Sequence, residues 1–369
     1  MAKLGRANIL IAAVQVPFTR GGAEILVDCL KRELEARDHS VDVVQLPFSA
    51  QPKEKLLKHT AMWRALDLRD FNGKAVDLVI PTKFPSYMVA HPNKALWLVH
   101  QHRQIYDLYG SRFGDFNADV ADETLRQMLV EADQCALKEC ISRYTISQNV
   151  TDRLQRYLGI DSKPLLPPLP LAGRYRSGTR GNFILSVGRI CSIKRVDMMV
   201  KAMAHVDDAL KLKVVGVPDE PAIETYLQSE IDKHHLWDRV EFLGRVGDEE
   251  LLDLFANCLA VYYAPYDEDY GFVTLEAFAS GKPVVTASDS GGVLEFVRDE
   301  YNGLIVEPSE QAVAQAVNRL HADEALYEKL CANAALMEQT NWDEVIDALT
   351  QSLRPASAKQ KSTQAELYS

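Results

Sequence analysis

Short apolar runs alternate with amphipathic stretches along the first 165 residues of the chain. The runs are continuous rather than alternating, which is typical of parallel strands buried on both faces. They predict strands at Asn8–Val14, Val41–Gln45, Val76–Ile80, Ala95–Val99 and Tyr144–Ser147. The stretches between them predict helices at Ala23–Arg37, Glu54–Arg69, Ala121–Glu139 and Val150–Leu158. Strands that alternate with helices indicate a parallel sheet covered on both sides.

The pattern stops between residues 160 and 181, where four prolines and three glycines occur. Because proline removes a backbone donor and fixes φ, we interpret this segment as a linker. The alternation then restarts. It predicts strands at Phe183–Val187, Leu212–Val215, Val240–Leu243, Ala260–Tyr263, Val284–Thr286 and Leu304–Val306. It predicts helices at Arg195–Ala204, Pro221–His234, Glu249–Asn257, Phe272–Ser280, Val293–Val297, Glu310–His321 and Asp323–Glu338.

We therefore predict an α/β protein with two Rossmann-like, doubly wound domains, over residues 1–165 and 166–340. A last helix in residues 341–354, with Asn341 as N-cap and Glu344 completing a capping box, is expected to pack back towards the first domain. Residues 355–369 are polar and predict a flexible tail. Ligands of open α/β sheets bind at the carboxyl ends of the strands. We therefore expect the ligand in a cleft between the domains, with domain closure as a catalytic step.

Composition narrows the class of protein. The 369 residues are 47% hydrophobic and 25% charged, as in ordinary globular proteins. The net charge of −11 argues against nucleic-acid binding, because phosphate neutralisation needs clustered cations. Six scattered cysteines without a C-x-x-C pair argue against a zinc cluster or disulfide framework and fit a reducing compartment. The first apolar run is broken by Gln15, Pro17 and Arg20 and lacks a cleavage site, so we predict a buried strand and a cytoplasmic protein.

The first strand–helix turn lacks two common phosphate-binding motifs. Residues 16–24 contain no G-x-G-x-x-G, and no G-x-x-x-x-G-K-[ST] occurs in the chain. This argues against a dinucleotide oxidoreductase and a P-loop NTPase. Gly21 and Gly22 open the first helix, where a backbone without Cβ atoms can approach an anion. A turn that needs positive φ explains the two glycines equally well.

A pair of cations follows the first strand of the second domain. The strand runs out through Gly188 into Arg189, and Lys194 follows at the start of the predicted helix. Both side chains are expected at the carboxyl edge of the sheet. There Arg can bind two oxygens of a diphosphate and Lys can add a point charge. Cations that solvate a strand end are the alternative.

The most specific pattern lies between Tyr266 and Val285. Glu268 falls in an acidic loop, and Glu276 falls eight residues later, about one turn inside a helix that starts after Gly271. The first amides of a helix lack intrahelical partners and can bind phosphate. Here they are predicted to be those of Phe272, Val273 and Thr274. One carboxylate can then reach sugar hydroxyls and the other a ribose.

Together these motifs resemble glycosyltransferase family 4, whose members are retaining enzymes of GT-B fold. The resemblance covers nearly the whole chain. It rests on the E-x7-E from Glu268 to Glu276, the Gly-Arg-x4-Lys at 188–194, the Gly-Gly-Ala-Glu at 21–24, Ser-Gly-Gly-Val-Leu-Glu at 290–295, Phe-Leu-Gly-Arg at 242–245 and the closing helix.

The resemblance implies a role for each site residue. Glu268 and His100, which ends the strand Ala95–Val99, would contact the donor sugar. Arg189, Lys194 and the helix start after Gly271 would hold the donor diphosphate, and Gly22 with its turn would close over it. Glu276 would accept hydrogen bonds from the ribose, and Arg245 would lie near the base. Many relatives carry Glu-Gly-Phe-Gly where this chain has Glu268-Asp269-Tyr270-Gly271, so the donor can differ.

The implied reaction is metal-independent transfer of a sugar, with retention, from a nucleotide-diphosphate sugar to a hydroxyl acceptor. A glycan or lipid-linked glycan in cell-surface polysaccharide assembly is the implied acceptor, and no cofactor is expected. A sugar-nucleotide epimerase, a phosphorylase and a non-catalytic sugar-nucleotide-binding protein are the rival functions.

Three local alternatives remain at the level of residues. Asp267 and Asp269 form a D-x-D that would bind Mg²⁺ or Mn²⁺ with a diphosphate. His100 and His102 could be two ligands of a metal site. A basic segment around Trp63 could rest on an anionic membrane or be a solvated face; its cations are Lys53, Lys55, Lys58, His59, Arg64 and Arg69.

Overall fold

The computed structural model describes residues 6–18, 20–117, 119–338 and 340–353. The chain divides into two units. The first comprises Met1–Ile146, Val150–Pro167 and Asn341–Ser369, and the second comprises Ser147–Asn149 and Pro168–Thr340. The predicted tail over 355–369 lies outside the described residues.

The first unit alternates strands and helices as the apolar pattern predicts. Its elements are β1 (Asn8–Gln15), α1 (Gly22–Glu35), β2 (Ser40–Pro47), α2 (Lys55–Arg64), β3 (Asp70–Phe71), β4 (Lys74–Ala75), β5 (Leu78–Pro81), β6 (Ala95–Leu98), α3 (Val120–Lys138), β7 (Ser142–Thr145), α4 (Gln148–Leu158) and β8 (Lys163–Pro164).

Two groups of parallel strands make up the sheet of the first unit, in the orders β2-β1-β5 and β6-β7-β8. They are joined between β5 and β6 by an isolated bridge from Val79 to Lys94 and by a 2.7 Å bond from the Val99 amide to the Thr82 carbonyl. All residues of β5 and β6 are buried, which is why both strands read as continuous apolar runs.

The segment after α2 differs from the prediction. The helix ends at Arg64, five residues before the predicted end, and a short antiparallel hairpin, β3–β4, follows. Its turn is Asn72-Gly73, with φ of 56° and 79°. Asn-Gly favours a two-residue hairpin because both positions need positive φ. The apolar pattern assigns no element to residues 70–75, so the hairpin is not among the predicted elements.

The second unit contains a six-stranded parallel sheet with helices. Its elements are β9 (Phe183–Val187), α5 (Val196–Ala202), β10 (Lys211–Val215), α6 (Pro221–His234), β11 (Val240–Gly244), α7 (Asp248–Asn257), β12 (Ala260–Tyr262), α8 (Phe272–Ala279), β13 (Val284–Ala287), β14 (Gly303–Val306), α9 (Glu310–Ala322) and α10 (Glu324–Ala335).

The strand order of this sheet is β11-β10-β9-β12-β13-β14. The chain moves outward from β9 in one direction and then returns to β12 on its other side. The order therefore reverses between β9 and β12, and in doubly wound sheets ligands bind beyond the carboxyl ends of the strands at such a point.

Two predicted helices of the second unit are replaced or preceded by a 3-10 turn. The segment Val293–Val297 forms a 3-10 turn over Gly292–Glu295 instead of an α-helix. The helix predicted from Arg195 begins at Val196, after a 3-10 turn over Ser192–Lys194, because Arg195 adopts a left-handed conformation with φ of 52°. Lys194 thus ends a turn rather than starting a helix.

The last helix, α11 (Trp342–Leu349), belongs to the first unit. The predicted N-cap is confirmed, since the Asn341 side chain accepts from the Glu344 amide at 3.0 Å. The Glu344 carboxylate bonds the Asn341 side-chain amide at 2.9 Å rather than a backbone amide. The Trp342 ring meets Trp97 edge-on at 6.0 Å. Among the described residues, no helix has the length and apolar content that a bilayer crossing requires.

Candidate functional site

Polar side chains collect where β9 and β12 end. These strands are direct neighbours and run parallel, so the segments that follow them leave the sheet at the same edge. β9 leads through Gly188 to Arg189 and Lys194, and β12 leads through Tyr263 to the acidic loop, Tyr266–Tyr270. The predicted cations and the predicted carboxylate Glu268 therefore share one edge of the second sheet.

Lys194 and Glu268 form a half-buried ion pair at this edge. The Lys194 ammonium lies 2.5 Å from Glu268 Oε2 and donates to the Tyr263 hydroxyl at 3.1 Å. Burial by itself would lower the pKa of Lys194, but the Glu268 carboxylate and the Tyr263 hydroxyl outweigh it and raise this pKa above its ordinary value. Lys194 is therefore a fixed positive charge at physiological pH.

Arg189 is the more exposed of the two predicted cations. Its Nη1 donates to Asp219 Oδ2 at 2.7 Å, and about half of its side chain stays accessible. Asp219 follows β10, and a parallel bridge between Ile190 and Pro218 holds the two loops side by side. Arg189 thus projects at the strand end, where its remaining N–H groups can reach an anion.

Arg195, a residue that the sequence analysis did not single out, holds this edge together. Its guanidinium is buried and donates to the carbonyls of Ala264 and Pro265, both at 2.7 Å. It also grips both carboxylate oxygens of Asp289, at 2.9 and 2.6 Å. A bidentate Arg pair is directional. It therefore fixes the segment that leads into the acidic loop, and its contacts explain why position 195 leaves the helical conformation.

The start of α8 presents backbone amides. Gly271 caps the helix with φ of 86°, and a Cβ there would stand 3.1 Å from both the Tyr263 ring and Val293. In the described part of the chain, the amides of Phe272 and Val273 have no acceptor. Thr274 differs from the prediction, because its amide donates to the Gly271 carbonyl at 3.0 Å. Two amides rather than three are thus available at this positive helix end.

The acidic loop packs tightly against Gly291 and Gly292. The Glu268 amide donates to the Ser290 carbonyl at 3.1 Å, and the Gly292 amide donates to the Glu268 carbonyl at 2.7 Å. A Cβ on Gly291 would come within 2.5 Å of Asp267, and one on Gly292 within 2.6 Å of the Asp269 carbonyl. The Ser-Gly-Gly motif is therefore required for this close approach.

Asp267, the first aspartate of the D-x-D alternative, is hydrogen-bonded to another side chain. Its Oδ1 accepts from Asn149 Nδ2 at 2.8 Å, while the intervening Glu268 carboxylate is directed to Lys194. Within the described ranges, no group of three or more His, Cys, Asp and Glu side chains is placed to hold a metal ion.

Glu276 lies about one turn inside α8, as predicted. Its Oε1 accepts from the Tyr175 hydroxyl at 3.1 Å. Burial raises the pKa of Glu276 to about 7, and the Tyr175 bond opposes this rise. The neighbouring Arg174 and Arg176 fasten the Tyr175 segment to α7 through Glu249 at 2.8 Å and Asp253 at 2.5 Å.

Arg245 follows β11 on the same sheet. It is exposed and forms no ion pair with a residue of the described chain. The strand order places two strands, β10 and β9, between β11 and β12. Arg245 is thus the outermost of the predicted donor-binding residues of the second unit.

In the first unit, the glycine turn does not need positive φ. Gly21 is extended at φ of −142°, and neither Gly21 nor Gly22 has positive φ, so the turn explanation is wrong. The Gly21 amide donates to Glu24 at 2.9 Å, and Lys83, which follows β5, binds the other oxygen of Glu24 at 2.8 Å. Burial raises the pKa of Glu24, but Lys83 outweighs it and the net pKa is lowered.

His100 and His102 have different surroundings. His100 is half-buried at the end of β6, and its Nδ1 bonds the Gln101 carbonyl at 2.8 Å. His102 packs against the Phe84 ring at 5.3 Å and the Phe116 ring at 6.4 Å. Burial lowers the pKa of His102 to about 4, with the His100 charge a smaller cause. His102 is therefore a partly buried histidine packed between aromatic rings, which disfavours the joint metal pair.

The basic segment around α2 is partly neutralised. Three of its cations are paired with carboxylates: Lys53 with Asp122 at 2.6 Å, Arg64 with Glu139 at 2.7 Å and Arg69 with Asp67 at 2.6 Å. Trp63 is buried, whereas Lys55 and Lys58 are exposed. The segment therefore has fewer unpaired positive charges with which to contact an anionic membrane than its sequence indicates.

Comparisons with known proteins show which proteins the chain resembles. Residues 173–337 match the family model "Glycosyl transferases group 1". The chain is similar to D-inositol 3-phosphate glycosyltransferase of Xylanimonas cellulosilytica, with 29% identity over 202 residues, which are 52% of this chain and 48% of that protein. The chain thus spans about half the length of that relative.

Solved structures are similar over almost the full chain. Sucrose-phosphate synthase from Thermosynechococcus elongatus has a TM-score of 0.73 at 19% identity, covering 98% of this chain and 99% of its own. Anabaena HepE in complex with UDP-glucose has a TM-score of 0.69 at 18% identity, covering 97% and 100%. The chain therefore has the GT-B fold that the resemblance implied. The part of the chain that matches the model of glycosyl transferases group 1 lies in the second unit.

Proposed function

We propose that the chain is a retaining, metal-independent glycosyltransferase of family 4 that uses a nucleotide-diphosphate sugar. The observation that carries the proposal is the Lys194–Glu268 pair beside the open start of α8, at the point where the strand order of the second sheet reverses. A fixed cation, unpaired amides and a carboxylate at one such edge suit a substrate that joins a diphosphate to a sugar.

The diphosphate lies over Lys194, Arg189 and the start of α8 in this proposal. Lys194 has three N–H donors, and among the described residues two point to Glu268 and Tyr263. The third is left for a phosphate oxygen. The amides of Phe272 and Val273 add the positive end of the helix dipole. Because the chain itself supplies this charge, the leaving diphosphate needs no metal ion.

The nucleoside end of the donor lies towards Glu276 and Arg245. An ionised Glu276 accepts hydrogen bonds from the two ribose hydroxyls, and Tyr175 orients it. Arg245, at the end of β11, lies near the base. Gly21, Gly22 and His100 of the first unit stay predicted contacts of the phosphates and the donor sugar, as the resemblance implies.

The chemical step exchanges one bond for another at the anomeric carbon. The bond from this carbon to the phosphate oxygen breaks, and its electron pair leaves with the diphosphate. The acceptor oxygen bonds the same face of the carbon, and its proton passes to the departing phosphate oxygen. Glu268 stabilises the developing positive charge. Since Lys194 already engages its carboxylate at 2.5 Å, we favour this role over a covalent nucleophile.

The acceptor is a hydroxyl of a glycan or a lipid-linked glycan, in cell-surface polysaccharide assembly. Lys55 and Lys58 would supply a peripheral contact with the inner face of the membrane. A cytoplasmic location and this contact remain predictions.

A thermal-shift screen of the purified protein against UDP-glucose, GDP-mannose and ADP-glucose tests the donor. We include UDP-glucose because HepE was solved with it. A donor at 100 times its Kd stabilises the protein by ~2.7 kcal/mol. The screen is repeated with EDTA, and we expect the same shift. Loss of binding with EDTA and its recovery with Mn²⁺ would favour the D-x-D alternative.

Product analysis with the bound donor separates the rival functions. The proposal is supported if the products are free nucleoside diphosphate and a lengthened acceptor, in which the transferred sugar keeps the anomeric configuration that it had in the donor. An altered donor sugar indicates an epimerase, and a sugar phosphate indicates a phosphorylase. Tight binding without turnover on any acceptor indicates a binding protein. Mass spectrometry that finds a sugar covalently attached to Glu268 would make this residue a nucleophile.

A further inference from the structure

Ser147–Asn149, which comprises the residue before α4 and the first two residues of that helix, belongs to the second unit although its neighbours on both sides belong to the first. Ser147 Oγ donates to the Asp269 carbonyl at 2.5 Å. The amides of Gln148 and Asn149 donate to the two carboxylate oxygens of Glu295, at 3.0 and 2.7 Å. The segment is therefore fastened to two places in the second unit.

The Asn149 side chain reaches the acidic loop directly. Its Nδ2 donates to Asp267 Oδ1 and to the Glu268 carbonyl, both at 2.8 Å. Both partners can only accept, so the nitrogen rather than the oxygen of the amide must face them. These two bonds use both hydrogens of the amide group and hold the Asp267 side chain and the Glu268 carbonyl, one on each side of the peptide that joins the two residues.

This contact acts on the conformation that directs Glu268. Asp267 has a φ of 43°, a left-handed conformation that is uncommon outside glycine and that Asp and Asn adopt more readily than other residues. The Glu268 amide and carbonyl are held on the opposite side by Ser290 and Gly292, at 3.1 and 2.7 Å. With its amide and carbonyl held in this way, Glu268 directs its carboxylate to the sheet edge, where it meets Lys194.

We propose that Asn149 is a positioning residue that sets the Glu268 carboxylate for sugar transfer through the Asp267–Glu268 backbone. The effect on sugar transfer rests on the proposed function, whereas the effect of Asn149 on the conformation of the acidic loop does not. Among the described residues, Asn149 forms no hydrogen bond with Lys194 or with the start of α8, so its removal is expected to slow the chemical step without weakening the binding of the diphosphate.

The test compares Asn149→Asp, which keeps the size of the side chain but replaces the donor by an acceptor, with the double variant Asn149→Asp/Asp267→Asn. In the double variant, the side chain at 267 becomes the donor and the side chain at 149 becomes the acceptor, so a hydrogen bond between them is restored. Asn tolerates the left-handed conformation at 267. Asn149→Ala is the milder variant if the single substitution lowers the yield of folded protein. Asn333→Asp is the matched control, because Asn333 makes a similar side-chain bond, to the Tyr301 carbonyl at 2.8 Å, away from the acidic loop.

Three quantities are measured on the full chain. Hydrogen exchange of the Glu268 and Gly292 amides is expected to be about tenfold faster in Asn149→Asp, the change that loss of one or two hydrogen bonds produces. The kcat for release of UDP from UDP-glucose, or of the diphosphate of whichever donor the screen identifies, is expected to fall roughly 10- to 100-fold. The thermal shift by the same nucleoside diphosphate is expected to stay as in the wild type, and the double variant is expected to recover part of kcat.

Each contrary result overturns the proposal. Unchanged exchange in Asn149→Asp shows that the loop does not depend on Asn149. Faster exchange with wild-type kcat shows that the loop conformation does not matter for transfer. A parallel fall of kcat and diphosphate binding, without recovery in the double variant, shows a general structural role. If the wild type itself turns over no donor, the proposed function fails, and the exchange measurement still decides whether Asn149 positions the loop.

Discussion

Gly216 lies so close to Gly188 that a Cβ atom at position 216 would stand 1.8 Å from the Gly188 carbonyl oxygen. Both glycines have positive φ, 146° and 134°. The Gly188 amide donates to the Val215 carbonyl at 2.9 Å, which continues the pairing of β9 with β10 beyond the strands. This approach brings the following loops together, where Arg189 meets Asp219.

We predict that Gly216→Ala destabilises the protein by roughly 3 kcal/mol or more, because it adds both a strained φ and a backbone clash. Urea unfolding measures the effect. Gly247→Ala is the control, since no atom lies within 4 Å of a Cβ there and its φ is −74°. A loss in Gly216→Ala no larger than in this control would show that the two loops separate without penalty.

The strands could be predicted well because most are buried on both faces. In such a strand most residues are apolar, so the bounds of the apolar run in the sequence lie close to those of the strand. β9 matches its predicted bounds, and β10 and β13 match within one residue at one end. Arg189, Lys194 and Glu268 could be placed from the sequence because they follow strands, and Glu276 because it lies about one turn inside the helix after Gly271. Their roles stay predictions.

The partners of these residues could not be predicted, because they are distant in sequence. Asp219 is 30 residues from Arg189, and Asn149 is 119 residues from Glu268. Arg195 shows the same limit, since the pattern placed it in a helix, whereas its bonds to Ala264, Pro265 and Asp289 determine its backbone. Tertiary contacts overrode local propensity there.

We predict that Lys194→Met lowers kcat for the donor by ~100-fold or more, because a preorganised charge at the leaving diphosphate is lost. The substitution also leaves the half-buried Glu268 carboxylate without its cation. Lys201→Met is the matched control, because Lys201 makes a looser pair with Asp197, at 3.5 Å, in α5. Wild-type turnover in Lys194→Met would refute the assignment of the phosphate site.

Asp133, in α3 of the first unit, predicts a dependence of stability on pH. It is fully buried, accepts from the Tyr106 hydroxyl at 2.7 Å and pairs with no described cation. Burial raises its pKa to about 7, against ~3.9 in an unfolded chain. The folded state therefore binds the proton more tightly, so the contribution of Asp133 to stability falls as pH rises from about 4 to 7.

Asp133→Asn resembles the protonated acid and does not titrate. We predict that it stabilises the protein at about pH 8 relative to the wild type, with little effect at about pH 4. Thermal melting at both values measures this, with the exposed Asp42→Asn as control. Equal differences at the two pH values would mean that Asp133 does not titrate in this window.

Glu276 predicts a pH dependence of donor binding. Burial raises its pKa to about 7, and Tyr175 opposes this by donating to the carboxylate. The Tyr263 hydroxyl also lies near Glu276, and its own pKa is raised, mainly by burial, so it stays neutral. Because ribose hydroxyls donate to the ionised form, affinity for a UDP-sugar is expected to rise as pH increases through about 7 and then level off.

The variant Tyr175→Phe tests whether the titration of Glu276, rather than of another group, causes the pH dependence of donor binding. It removes the bond that favours the carboxylate, so the pKa of Glu276 rises further and the increase in affinity moves to higher pH. Calorimetry with UDP-glucose between about pH 5.5 and 8.5 measures the midpoint, because the diphosphate of the intact donor does not titrate in that range. Tyr226→Phe, which removes the same hydroxyl from an exposed position in α6, is the control. An unchanged midpoint in Tyr175→Phe, or affinity that does not vary with pH in the wild type, would show that the titration of Glu276 does not control binding of the donor.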